Sequence, residues 1–295
     1  MDLNKKALLK FCSPSDYSIS NLENGIIFCQ HFSAYNDPFE FWTNIHDGVP
    51  DAAEEPERFS AALAAWGMTG TPPDDGDLIE YFNECHNYQP SFKEMRDYAR
   101  IACFGSQRDN LLMWSHYADG LRGFCIVFDE DAVVKSEEGA FLLDVEYLDA
   151  PPFVDSFVYA IAKDQEWYHE VAIQETEALI KHLGGADKKY WIADFEKAGA
   201  EAFAKMREIW QHVFAVKPSE WSYEQERRLL VPTSFSDKKP IMRPFTTDAV
   251  KEIILGERMS EGYRDKLLRV LDKRYPGVPI RKAYRAKNNY TINVC

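Results

Sequence analysis

Two kinds of hydrophobic pattern alternate along this chain. Short unbroken runs of β-branched, aliphatic and aromatic residues predict strands, and apolar positions recurring every three or four residues predict helices. Strands are expected at 7–11, Gly25–Cys29, Ile101–Phe104, Gly123–Phe128, Phe141–Leu148, Val250–Leu255 and Val278–Tyr284. Gly123–Phe128 has no polar interruption and reads as a buried strand. Helices are expected at Ser18–Asn24 with Gly25 as the stop, at 78–100 with a break at Pro90, at 110–118 and at 264–275. Residues 50–76 read as a polar stretch around a short Ala-rich helix, with a surface loop at 70–76.

After Pro151-Pro152 come two long helical patterns, 154–183 and 189–213, separated by Gly184-Gly185. In the second, Phe195, Ala198, Ala202, Met206, Ile209 and Val213 hold the helical spacing. The whole predicts one α+β domain over 1–295, a mixed β core with peripheral helices and a helical hairpin inserted at 154–213. The strand–helix–strand order from Val250 to Tyr284 suits a parallel crossover.

Composition narrows the partners more than the fold. Of 295 residues, 45% are hydrophobic and 14% aromatic, enough for a sizeable core. The formal net charge of −14 disfavours non-specific contact with nucleic acid or anionic membrane. Lys251–Cys295 is the exception, with 11 Lys/Arg against 5 Asp/Glu; a solvated helix and basic tail explain it, with a local anion or RNA contact as the alternative. Six cysteines form no C-x-x-C pair, and no apolar run reaches the length of a membrane span. With no signal-peptide pattern at the start, the expectation is a reduced, cytoplasmic protein without a membrane segment.

The nucleotide-binding glycine motifs, H-E-x-x-H, zinc-spaced Cys/His clusters and G-x-S-x-G are all absent. What stands out instead is Lys217-Pro-Ser-Glu-Trp-Ser-Tyr-Glu-Gln-Glu-Arg227, running into an apolar stretch that ends at Pro232. On a strand, Glu224 and Glu226 project to one side and Arg227 to the other. Like charges on one face suit either a solvated edge, salt-bridged by Arg227 or Arg228 from neighbouring strands, or a site that needs them. Three further blocks accompany it: Phe28 through Glu40, ending Asn-Asp-Pro-Phe-Glu; Leu112-Met-Trp-Ser-His-Tyr-Ala-Asp119 with Gly123–Asp129; and Val145-Glu-Tyr147.

In this order the blocks resemble the bacterial family catalogued as domain of unknown function 2971. The chain departs from many relatives in having Lys10-Phe11 and Gly105, and in its long helical insertion. More distantly, Glu224-Gln-Glu226 is similar to the [Glu/Gln]-x-Glu motif of arginine-directed ADP-ribosyltransferases. That similarity implies a split β core and NAD as substrate. Glu226 would grip the ribose 2-hydroxyl, Glu224 would orient the acceptor or take its proton, and His116 joins them as a catalytic candidate. The implied NAD-binding set is Lys10, Tyr35, Asn36, Asp37, Trp114, Tyr117 and Arg122, through aromatic stacking and cationic pairing with pyrophosphate. The acceptor would be a protein or nucleic acid, and a toxin or phage-defence role with an antitoxin or other regulatory partner follows from the same likeness.

No resident metal is implied by this reading. Two rivals remain. A metal-dependent nuclease or phosphohydrolase would gather Asp37, Glu40, His116, Asp119, Glu224 and Glu226 around Mg²⁺ or Mn²⁺. A non-catalytic recognition protein would use the hairpin for docking and the core as a sensing pocket. Each candidate also has a plainer use: His116 as a structural histidine, Asn36-Asp37 as a turn, Trp114 as a packing anchor, Arg122 as a solvated strand entry.

Overall fold

The computed structural model describes residues 8–68, 75–136, 139–183 and 189–295. Most of the loop expected at 70–76, and the Gly184-Gly185 break, lie outside them. In chain order the elements are β1 (Leu8–Cys12), α1 (Asp16–Asn24), β2 (Ile26–Cys29), β3 (Asn44–His46), α2 (Pro56–Ala65), α3 (Asp75–Asn87), α4 (Phe92–Tyr98), β4 (Ala99–Phe104), α5 (Leu111–His116) and β5 (Phe124–Phe128). Then follow α6 (Glu130–Lys135), β6 (Phe141–Asp144), β7 (Glu146–Leu148), β8 (Phe153–Asp155), α7 (Ser156–Leu183), α8 (Lys189–Phe214) and β9 (Val216–Pro218). The chain ends with β10 (Arg227–Pro232), β11 (Ile241–Pro244), β12 (Val250–Gly256), α9 (Glu261–Arg274), β13 (Ile280–Arg285) and β14 (Ile292–Val294). This is the expected α+β class. None of the described helices is long and apolar enough to cross a membrane.

The chain divides into two compact units, one formed by 1–41, 96–150 and 215–295, the other by 42–95 and 151–214. The hairpin expected at 154–213 therefore groups with residues 42–95.

The first unit is built on a five-stranded sheet in the order β1-β5-β12-β13-β14. Its β12–β13 pair is parallel, joined through α9, and its other pairs are antiparallel. All five residues of β5 are buried, and their alternation feeds two separate cores. Phe124, Ile126 and Phe128 pack with Leu8, Phe104, Leu229, Ile253 and Leu267. Cys125 and Val127 pack with Leu9, Phe11, Met113, Trp114 and Ile254. Each such large apolar side chain stabilises the fold by about 1.5–3 kcal/mol.

A second sheet, β4-β10-β6, is antiparallel throughout. It meets the first through one bridge, Leu9 to Gly105, with N–H···O distances of 3.0 and 2.8 Å. The β core of this unit therefore comprises more than one sheet. Alongside run two short pairs, β2 with β11 and β7 with β9. Helix α1 is capped by the Ser15 side chain and stopped by Gly25 in the left-handed region. A side chain at Gly25 would crowd the Phe245 carbonyl, so glycine both ends the helix and admits β11.

In the second unit β3 pairs in parallel with β8. Asp155 caps α7 by accepting from the Phe157 and Val158 amides at 2.9 and 3.2 Å, and is held by Arg58 at 2.5 Å. Helix α8 buries Ala202, Met206, Ile209 and Val213, the spacing read from sequence. Trp66 stacks on Tyr81 at 4.2 Å, and Phe82 meets Phe157 edge-on at 5.0 Å.

Candidate functional site

The segment Lys217–Arg228 does not form one strand. Lys217 sits in β9, Ser219–Glu224 make a turn of 3-10 helix, and β10 begins only at Arg227. Between the two glutamates Gln225 takes a left-handed conformation, φ 43°. Its carbonyl is held by the Ser106 hydroxyl at 2.9 Å, and Asn110 donates to the Tyr223 carbonyl. That local reversal achieves what a strand would have done: Glu224 and Glu226 face the same interior, as does Arg228. Arg227 points the other way, to Glu130 at 3.0 Å and Asp144 at 2.6 Å.

Both glutamates are buried, Glu224 to 3% exposure and Glu226 to 4%. Lys217 Nζ lies between them, 2.7 Å from Glu224 Oε2 and 2.6 Å from Glu226 Oε2. Arg228 Nε reaches Glu226 Oε1 at 2.8 Å, and its Nη1 reaches Glu40 Oε1 at 2.6 Å. The Tyr117 hydroxyl donates to Glu224 Oε1. The Tyr147 hydroxyl accepts from the Glu226 amide at 2.8 Å. A continuous chain thus runs Glu40–Arg228–Glu226–Lys217–Glu224–Tyr117.

Burial and neighbouring charge pull against each other along this chain. Burial alone would raise the Glu226 carboxyl, but Arg228 and Lys217 together outweigh it and hold it far below the usual carboxylate range. Burial disfavours the Lys217 charge, yet Glu226 and Glu224 keep it protonated, its pKa raised above the ordinary lysine value. Glu40 goes the opposite way: burial lifts its carboxyl beyond what Arg228 and Lys217 restore. Burial and the bond to Glu224 lift the Tyr117 phenol.

Against this chain lies a cavity of about 740 Å³, within the size range of small-ligand sites. Lys10, Tyr35, Asn36, Tyr117, Lys217, Glu224 and Glu226 line it together with Phe11, Phe28 and Met242. Lys10 Nζ donates to the Cys103 carbonyl at 2.9 Å, and Tyr35 to that of Ile101 at 2.8 Å. The Cys103 thiol also lines the cavity, and burial raises its pKa.

Six of the ten residues singled out in the sequence therefore share one cavity. The other four do not line it. Trp114 is fully buried in the core, its indole N–H on the Arg108 carbonyl at 2.7 Å and its ring edge-on to Phe11. Asp37 is buried and accepts from the Phe39 amide at 2.9 Å, the turn role. His116 is exposed beside Tyr223, ring centres 6.0 Å apart. Arg122 is exposed and pairs with Asp119 at 3.3 Å.

The set drawn up for Mg²⁺ or Mn²⁺ does not converge either. Asp119 and His116 are on the surface, while Glu40, Glu224 and Glu226 are taken up by Lys217 and Arg228. No group of three His, Cys, Asp or Glu side chains among the described residues is placed to hold a metal ion.

Sequence reading missed Lys217 and Tyr147 as members of the site, and named Glu40 only as a metal ligand of the rival reading. The signal for Lys217 was its place at the head of the Lys217–Arg227 block. Glu40 closes the Asn-Asp-Pro-Phe-Glu block, and what places it in the site is an arginine rather than a metal.

Residues 113–229 match the family model described as "Protein of unknown function (DUF2971)". The matched stretch carries Tyr117, Lys217, Glu224, Glu226 and Arg228, so the resemblance read from the sequence blocks holds over this part of the chain. No curated protein and no solved structure matches the chain.

Proposed function

We propose that the first unit binds NAD in this cavity, breaks its nicotinamide–ribose bond and passes ADP-ribose to a protein or nucleic-acid acceptor. The observation that carries the reading is the burial of Glu224 and Glu226, two residues apart, in the wall of one cavity with Tyr35, Tyr117 and Lys10. The division of the β core into two sheets that meet at Leu9 and Gly105, both in the cavity wall, supports an ADP-ribosyltransferase-like core.

Glycosyl transfer of this kind develops positive charge on the ribose. Glu226 is held ionised by its two cations, yet each carboxylate oxygen keeps a lone pair to accept a ribose hydroxyl. Fully ionised, Glu40, Glu224 and Glu226 outnumber Lys217 and Arg228 by one charge, so the floor favours a cationic nicotinamide ribosyl group. Lys10 supplies a cation for pyrophosphate, and the Tyr35 and Tyr117 rings offer flat faces for nicotinamide or adenine. The bonding pair of the C1–N bond leaves with nicotinamide. The acceptor atom brings the pair for the new bond to C1, and Glu224 takes the proton it loses. A toxin or phage-defence role under a regulatory partner is the cellular setting that suits such a chemistry.

The test is incubation with radiolabelled NAD and a cell lysate, following nicotinamide release and label in macromolecules. Wild type is expected to give both, and Glu226→Gln neither, with its fold checked by circular dichroism. Absence of both from wild type overturns the reading. The full pairing of Glu224 and Glu226 with Lys217 and Arg228 favours a second reading, a ligand-binding cavity over a structural ion cluster. It predicts NAD bound without release of nicotinamide.

A further inference from the structure

We infer that Glu40 is a positioning residue for Glu226, acting through Arg228. The inference rests on the NAD reading and extends it to a residue that does not itself line the cavity.

Three observations converge on this role. Arg228 is fully buried and forks between two carboxylates, Glu226 at 2.8 Å and Glu40 at 2.6 Å. Its guanidinium also lies 5.7 Å over the ring of Phe41, the residue after Glu40. Phe41 takes φ 59°, a conformation a phenylalanine adopts only when its surroundings fix it. The Tyr35–Phe41 loop is thereby tied to β10, and the same loop contributes Tyr35 and Asn36 to the cavity. Pulling on Arg228 from one side, Glu40 sets where its Nε can meet Glu226.

Charge is the second half of the argument. Without Glu40 the remaining Glu224, Glu226, Lys217 and Arg228 sum to zero. With it ionised, the negative field of Glu226 is not cancelled by Arg228, and the floor keeps one excess negative charge. Glu40 Oε2 is buried with no hydrogen-bond partner among the described residues, so the ionised form of this carboxyl is poorly compensated. The charged groups that face it are Arg228, Lys217 and Glu226, and burial together with Glu226 moves its titration upward. Acidification therefore removes the excess charge at Glu40 first, while Glu226 is still ionised.

The experiment is the pH profile of nicotinamide release for wild type, Glu40→Gln and Glu40→Asp, with kcat and KM measured separately. Wild type is expected to lose kcat with acid along a limb set by Glu40. Glu40→Gln should lower kcat about ten- to hundredfold, as small misplacements of catalytic groups do, with KM within about threefold and the acid limb gone. Glu40→Asp, which keeps the charge, should keep the limb; it also carries the test if Glu40→Gln does not fold. An unchanged limb in Glu40→Gln, or its loss in Glu40→Asp, overturns the inference.

Should wild type leave NAD intact, the proposed function fails by itself. The positioning role is then judged by a thermal-unfolding cycle of Glu40→Gln, Glu226→Gln and the double variant. Non-additive effects support coupling through Arg228, and additive ones overturn it.

Discussion

The Lys217 ammonium lies 2.6 Å from a carboxylate oxygen of Glu226, with both side chains buried. Taking both ions out of water costs several kcal/mol each, and their attraction offsets that cost only because each has further partners. Glu226 has Arg228 and Lys217 has Glu224, so the pair is held by its neighbours and is vulnerable with them.

Lys217→Met removes the central cation and leaves two buried carboxylates facing each other. The expected loss of stability is about 3–5 kcal/mol, read from urea denaturation midpoints. A loss below about 1 kcal/mol would show that the cluster is solvated in solution.

Stability should depend on pH through Glu226. Its folded pKa is depressed below the ordinary 4.5, so the unfolded chain binds the proton more readily. The contribution is fully present above about pH 4.5 and is lost as pH falls through the folded value. Glu40 has the opposite sign: its raised pKa makes ionisation above its folded value a cost, which Arg228 limits. The melting temperature should thus fall on acidification below pH 4.5, and that fall should be shallower in Glu226→Gln than in wild type. Parallel curves would contradict the assignment.

Tyr117→Phe removes a hydroxyl that donates to Glu224 while keeping the ring in the cavity wall. A hydrogen bond to a charged group contributes about 1.5–3 kcal/mol, and that loss should appear in chemical denaturation. NAD binding, which needs only the ring, should change little by calorimetry.

Gly123 precedes β5 where the Cys12 carbonyl passes, and an added Cβ would fall inside the radius of that oxygen. Both partners are backbone, so neither gives way as a side-chain tip would. Gly123→Ala should cost about 3 kcal/mol, measured by thermal or urea unfolding.

The longer strands and helices were legible because hydrophobic period is local, whereas the short elements β3, β8, β9, β11, β14 and α6 carry too few residues to show a period and were not read. The buried run of β5 and the three-and-four spacing of α8 needed no tertiary information. The two short strands β6 and β7 read as one, since the break at Val145 comes from pairing: its amide bonds the Glu226 carbonyl at 2.9 Å. The inward aim of Glu224 and Glu226 was foreseen from a strand that is not there; a left-handed Gln225 produces the same alignment. His116 looked chemical because it stands between two aromatic residues of one block. Its side of α5 faces out, while Trp114 and Met113 face in. The pairing of Glu40 with Arg228 was hidden because the two are 188 positions apart, and no local pattern encodes such a contact. His116→Ala is accordingly expected to leave nicotinamide release within about twofold of wild type, assayed side by side under steady-state conditions, as exposed positions away from a site generally do.

The central claim is tested most directly by nicotinamide release from NAD with purified protein, wild type beside Glu226→Gln. The account predicts release by wild type and a loss of at least about a hundredfold in the variant, both proteins folded, as removal of one charge-stabilising group from a preorganised site produces. Equal rates in the two, or no release by either, would contradict it.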